Sequence, residues 1–322
     1  MHTDPSLDTE CTPLKLAGYE PLSELSQRGV VNVYLARRSA ALSAGELVVV
    51  KRARPEIVLE AQFAEAFVSA SRAALCLEHP NIVRTQAVAA EDSDYHVVEE
   101  FVDGKSLHRL WRSDTAPPLP RELHVWILTQ VLSGLHYAHE RVQCSFELPR
   151  GFVHQLVNPS SVLVSYGGEV KLADFGLGAF FGATLAAPAE RATRQLAYAA
   201  PEQCLGAPVD HRADVFAVGM MLWEALTGRQ RWNGHSDAEM FLERVQGEEP
   251  PIAPLAPTAP PALVAICERA LAHDPKERFQ SALEFSQALH LYLQTIGWVG
   301  GAQKLSLLTR GQIEGTSDYP AR

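Results

Sequence analysis

Apolar residues recur along this chain in two rhythms, and the change of rhythm divides it. Tyr19-Glu20-Pro21-Leu22-Ser23-Glu24-Leu25 is strand-like and leads through a turn into Val30-Val31-Asn32-Val33-Tyr34-Leu35-Ala36-Arg37. Leu47-Val48-Val49-Val50-Lys51 is a short continuous apolar run, as a buried strand reads, ending in a lysine. Residues 56–78 change to a helical period, with Phe63, Phe67, Ala70, Ala74 and Leu77 close to 3.6-residue spacing. Val97 to Val102 reads as a strand again. Pro117, Pro118 and Pro120 then break the chain before residues 121–140, whose helical stripe is Leu123, Trp126, Ile127, Val131, Leu135, Tyr137 and Ala138. A helix through Asp214 and Leu226 is expected to end at Gly228, a C-cap residue, and another closes near Gln294.

Composition narrows the class. The chain has 322 residues, 47% hydrophobic and 20% charged, which describes a globular protein with a sizeable core. Its 28 basic against 38 acidic residues give a formal charge of −10, which argues against nucleic acid as the main partner. Cys11, Cys76, Cys144, Cys204 and Cys267 are odd in number and scattered, so neither a zinc site nor a disulfide framework is implied. A reducing, cytoplasmic setting is expected. The start, Met1-His2-Thr3-Asp4-Pro5, lacks an apolar signal core, and no run of about 18 apolar residues is present to span a membrane.

The chemistry-bearing motifs come in a fixed order. Lys51 ends its strand. His79-Pro80-Asn81-Ile82-Val83 follows the first helix. His154-Gln155-Leu156-Val157-Asn158-Pro159-Ser160-Ser161-Val162-Leu163 precedes Lys171-Leu172-Ala173-Asp174-Phe175-Gly176. Ala199-Ala200-Pro201-Glu202, Asp214 and Asp274-Pro275-Lys276-Glu277-Arg278-Phe279 complete the set. This series resembles the protein kinase superfamily, in its bacterial Ser/Thr form, from about Tyr19 to Leu293. The resemblance implies an α+β, two-lobed protein-kinase-like fold, with a small β-rich N-lobe at 17–102 and a larger helical C-lobe at 103–293. A flexible leader over 1–16 and a C-terminal tail over 294–322 are expected outside it. Residues 142–150 lengthen one connection and read as a surface loop. Arg278 is expected to pair with Glu202 in the C-lobe.

In the family, a glycine-rich loop and a lysine hold phosphates, an aspartate orients the substrate hydroxyl, and an aspartate with an asparagine holds magnesium. Here the three glycine positions hold Ser26, Arg28 and Val31. The base position is Leu156, the phosphate lysine of the loop is Asn158, and the metal-binding asparagine is Ser161. Gln155 stands where an arginine would read a phosphate on the activation segment, so Thr184 and Thr193 are not expected to act through such a pair. Ala70 falls at the position of the helix glutamate that pairs the strand lysine, and Glu65 could substitute only if the helix shifted by more than a turn. Glu99 occupies the usually apolar gatekeeper position, where Lys51 is a candidate partner. Val49 would crowd the roof of the adenine pocket. Arg28 is expected to reach the phosphate pocket and pair with Asp174.

What remains of the nucleotide site is Lys51, the hinge backbone at Glu100 and Val102, Leu163 and Asp174. Asp174 is the metal ligand if a magnesium nucleotide binds, and weak ATP–magnesium binding or none is the expectation. His154, Gln155, Leu156, Asn158 and Ser161 form a degenerate catalytic loop. The resemblance therefore implies a pseudokinase acting as scaffold or allosteric regulator for a protein partner in signalling, an active kinase among the candidates. An ATP sensor without turnover and a weakly active Ser/Thr kinase are the alternatives.

Overall fold

The computed structural model describes residues 18–26, 31–39, 45–54, 61–91, 94–111, 119–141, 151–180, 195–231, 236–247 and 251–310. The expected leader, Arg28, the 142–150 loop, Thr184 and Thr193 lie outside these residues. The first part is a five-stranded antiparallel sheet of β1 (Tyr19–Ser26), β2 (Val31–Arg38), β3 (Leu47–Ala53), β4 (Thr85–Glu91) and β5 (Asp94–Glu100), in the order β1-β2-β3-β5-β4. Val48, Val50 and Val98, each fully buried, share one face with Ala36. The two-residue period of a strand puts Lys51 and Ala53 of β3, paired alongside Val97, on the other face. That face packs on helix α1 (Ala61–Ala74) through Phe67.

Helix α1 ends at Ala74, before the residue 78 that its periodicity predicts, and the expected start at 56 lies outside the described residues. After Ala74 the bonds tighten to i→i+3, from Leu75, Cys76 and Leu77 to Arg72, Ala73 and Ala74. Pro80 disfavours helical backbone at His79 and has no N–H, so the helix unwinds one turn early while Leu77 stays buried.

The second part opens with β6 (Gly104–Ser106) and α2 (Leu107–Trp111), which lead to the long α3 (Arg121–Glu140). Strands β7 (Val162–Ser165) and β8 (Val170–Leu172) complete a small sheet of order β6-β7-β8. Next come α4 (Pro201–Cys204), α5 (Arg212–Thr227), α6 (Asp237–Gln246), α7 (Ile252–Leu255), α8 (Pro261–Ala270) and α9 (Ala282–Thr295). Helix α5 is apolar nearly all round and forms the centre, against which α3, α8 and α9 pack. Gly228 caps it in left-handed conformation, φ 66°. No helix among the described residues is long and apolar enough to cross a membrane.

The ion pair expected in the C-lobe forms: Arg278 and Glu202 meet in a bidentate contact of 2.7 and 2.8 Å. The stretch expected as a tail contains a further helix, α10 (Gly301–Arg310), packed on α3 with Leu305 fully buried.

Glu224 of α5 supplies a pH-dependent element. Its carboxylate accepts from the Tyr198 hydroxyl (2.7 Å) and the Arg231 N–H (2.8 Å). Burial raises its pKa from 4.5 to about 7, the hydrogen bonds and Arg231 only partly opposing. Between those values the folded state holds a proton that the unfolded state has lost. Stability is therefore expected to fall as pH rises through that window, by about 3 kcal/mol. Urea unfolding from about pH 4 to 8 should show that slope, and Glu224→Gln should flatten it.

Candidate functional site

Asp214, at the start of α5 and fully buried, builds the loop that faces the cleft. Its carboxylate accepts the N–H of His154 (2.8 Å) and of Gln155 (2.7 Å), and His139 Nε2 lies 2.8 Å away. Gln155 is thereby held at φ 64°, a conformation that side-chain-bearing residues rarely adopt. The His154 ring accepts the Leu156 N–H at Nδ1 (3.2 Å) and donates from Nε2 to the Ala173 carbonyl (2.8 Å). Both bonds fit the neutral ring, and burial lowers its pKa in the same direction. Phe175 meets that ring edge-on at 4.6 Å.

The positions that should carry chemistry point elsewhere. Leu156 packs against an apolar cluster of Val31, Ala53, Phe67, Val97 and Leu177. Val31, expected at the third glycine position, is 4% exposed and belongs to this cluster. Asn158 donates from Nδ2 to the Leu156 carbonyl (2.7 Å) and accepts the Ser160 N–H at Oδ1 (2.8 Å). Ser161, fully buried, donates to the Asn158 carbonyl (2.8 Å) and accepts its N–H (3.1 Å). Beside the loop is a notch of about 10 Å³, lined by Gln155, Leu156, Val157, Asn158, Gln195, Tyr198 and Ala199. Among these lining residues there is no carboxylate or imidazole.

Lys51 forms the expected contact with Glu99, and a second with Asp174, each at 2.6 Å. Burial works against its charge, yet the two carboxylates hold its pKa above the ordinary lysine value. Burial pushes the Glu99 carboxyl up, with Lys51 opposing. Glu65 is exposed on α1 and does not reach the cluster. Ala70 lies against the Asp174-Phe175-Gly176 turn: a Cβ on Gly176 (φ 91°) would sit 3.0 Å from the Ala70 carbonyl oxygen. The partners of Lys51 thus lie on β5 and at Asp174, not on α1. Asp174, at φ 70°, keeps its side chain partly exposed at 29%.

At the hinge, the Glu100 carboxylate accepts from Lys171 Nζ (2.6 Å) and from the Arg84 N–H (3.0 Å). Val102 follows, half-buried, and Leu163 of β7 is likewise half-buried, in register with Ser106 and Lys171. The structure thus brings Lys51, Glu99 and Asp174 together, while Asn158 and Ser161 are turned into their own loop. Toward a magnesium–triphosphate group, this set offers Asp174 and Lys51 among the described residues. Asp174 stands as a single carboxylate ligand, Lys51 already has Glu99, and Val31 is packed in apolar surroundings. Among the described residues no group of three His, Cys, Asp or Glu side chains is placed to hold a metal ion. Residues to which the sequence reading gave no role are His139, Lys171 and Gln203, whose Nε2 donates to the Gln155 carbonyl (3.0 Å).

Comparison with known proteins identifies the family of this fold. The model of the protein kinase domain matches residues 24–291, and the chain belongs to that family. The tyrosine-protein kinase MasK of Myxococcus xanthus is 32% identical over 299 residues, covering 92% of this chain and 46% of MasK. The serine/threonine-protein kinase PrkC of Bacillus subtilis is 28% identical over 264 residues, covering 82% and 39%. The chain therefore spans less than half the length of these curated relatives. The crystal structure of the Mycobacterium tuberculosis PknI kinase domain matches with a TM-score of 0.67 at 25% identity, over 87% of this chain and 98% of that domain.

Proposed function

We propose that this kinase domain is a pseudokinase: it binds a protein partner in a signalling pathway, as scaffold or allosteric regulator, and does not transfer phosphate. An active kinase is the partner class proposed. The observation that carries this reading is Leu156. It takes the place of the base and is packed into the apolar cluster with Val31, Phe67 and Leu177. A leucine accepts no proton, and a hydroxyl in the adjoining notch would meet only amide, phenol and apolar groups. Losing one such transition-state group costs about 10²–10⁴ in rate. The scattered, odd cysteines favour a cytoplasmic setting.

The test is a phosphotransfer assay with magnesium or manganese ATP and a general protein substrate. The expected turnover equals that of the Asp174→Ala variant prepared the same way. Turnover well above that variant overturns the proposal and returns the domain to the working kinases. A second reading, a nucleotide sensor, is favoured by the 2.6 Å contact between Lys51 and Asp174. It requires magnesium-dependent thermal stabilisation by ATP that Asp174→Ala abolishes.

A further inference from the structure

The family match ends at residue 291, so α10 lies beyond it, and what α10 does is independent of whether the domain transfers phosphate. Its docking site is built for close approach of backbone. A Cβ on Gly301 would lie 2.3 Å from the Trp126 indole of α3. Gly168, at φ 88° in the β7–β8 turn, faces the Ala302 carbonyl, which would be 2.1 Å from an added Cβ. Two glycines from separate segments thus let the helix settle onto both elements. Leu305 and Thr309, one turn apart, are buried inward. Lys304 Nζ sits 3.7 Å over the Trp298 ring and steadies the turn before the helix.

The polar contacts converge on one peptide. Ser306 Oγ donates to the Tyr166 carbonyl (2.8 Å), and Arg310 Nε donates to the same oxygen (3.1 Å). The Tyr166 N–H donates in turn to the Asp103 carbonyl (2.9 Å). Asp103 stands between Val102 and Gly104, where the hinge enters β6. Hydrogen bonds therefore run without a break from α10 to the segment joining the two lobes.

We infer that α10 is a latch on the hinge: docked, it stiffens the β7–β8 turn and residues 102–106; undocked, it frees them. A ten-residue helix has little stability of its own, so its formation depends on this docking. Docked and undocked are thus the two states of one element, and whatever draws α10 off the domain acts on the cleft through Tyr166 and Asp103.

Amide hydrogen exchange on the whole chain tests this, comparing wild type with Gly301→Leu and with the double variant Ser306→Ala/Arg310→Ala. Gly301→Leu should strip protection from residues 301–310. Exchange at Tyr166 and at Gly104–Ser106 should then rise about tenfold, while α5 amides keep their protection. Lost protection in α10 with unchanged exchange at Tyr166 and Gly104–Ser106 overturns the proposal, and so does retained protection of α10. If Gly301→Leu also unfolds α5, the double variant decides alone. Exchange about threefold faster at Tyr166 supports the latch, and wild-type exchange there overturns it.

Discussion

Arg278→Ala is expected to destabilise the fold by about 3–5 kcal/mol, a large share of the stability of a typical domain. The guanidinium is fully buried, and every one of its donor directions is used. Nη1 reaches Glu202 Oε1 (2.7 Å) and the Arg212 carbonyl (3.0 Å). Nη2 reaches Glu202 Oε2 (2.8 Å) and the His273 carbonyl (3.0 Å). Nε reaches the Ala272 carbonyl (2.8 Å). The Phe216 ring lies 4.9 Å below. Alanine would leave a buried carboxylate and three carbonyls without donors and would open a cavity. Lysine has three donors and no planar fork, so Arg278→Lys should recover only part of the loss. Urea titration followed by circular dichroism reads the change directly. A loss below about 1 kcal/mol would contradict this role for Arg278.

Asp214→Asn is expected to cost about 2–4 kcal/mol and to loosen the loop at His154–Leu156. The two carboxylate oxygens accept Gln155 N–H on one side, and His154 N–H with His139 on the other. An amide must turn its NH₂ toward one of these donors, whichever way it is placed. With the NH₂ on the single-donor side, Gln155 would lose the tether that holds it at φ 64°. Burial opposes the Asp214 charge, but His139 and His154 outweigh it, and its pKa is lowered. A carboxyl depressed by folding lends stability above its unfolded pKa, and that stability is lost as pH falls through the folded value. The wild type should therefore lose stability below about pH 4, and Asp214→Asn should lose less over the same range. Unfolding free energies measured at a series of acidic pH values compare the two slopes.

Much of the fold is legible in the motifs. The register of Lys51, Asp174, Asp214 and the Glu202–Arg278 pair follows from short stretches whose spacing sets the family. The diversion of Lys51 to Glu99 can also be read, because a carboxylate on a buried face needs a cation. The inward turn of Asn158 and Ser161 is not legible. It depends on which loop carbonyls and N–H groups come within reach, and one-letter spacing does not record that. His139 leaves no signal either, since it gains its role only where α3 passes the start of α5.

Helix α10 shows the same limit most clearly. Its sequence, Gly301-Ala302-Gln303-Lys304-Leu305-Ser306-Leu307-Leu308-Thr309-Arg310, lies past the family motifs and reads as a tail. Its bonds go to Tyr166, 140 residues earlier for Ser306 and 144 for Arg310. Local pattern reports which face of an element seeks burial, because burial follows the helical or strand period. By itself, then, the sequence determined the two-lobed frame and the presence of a leucine at position 156. Only the tertiary structure decided the three-way contact at Lys51, the self-bonded catalytic loop and the docking of α10. Those depend on distances between segments far apart in the chain, and such distances exist only once the core has packed.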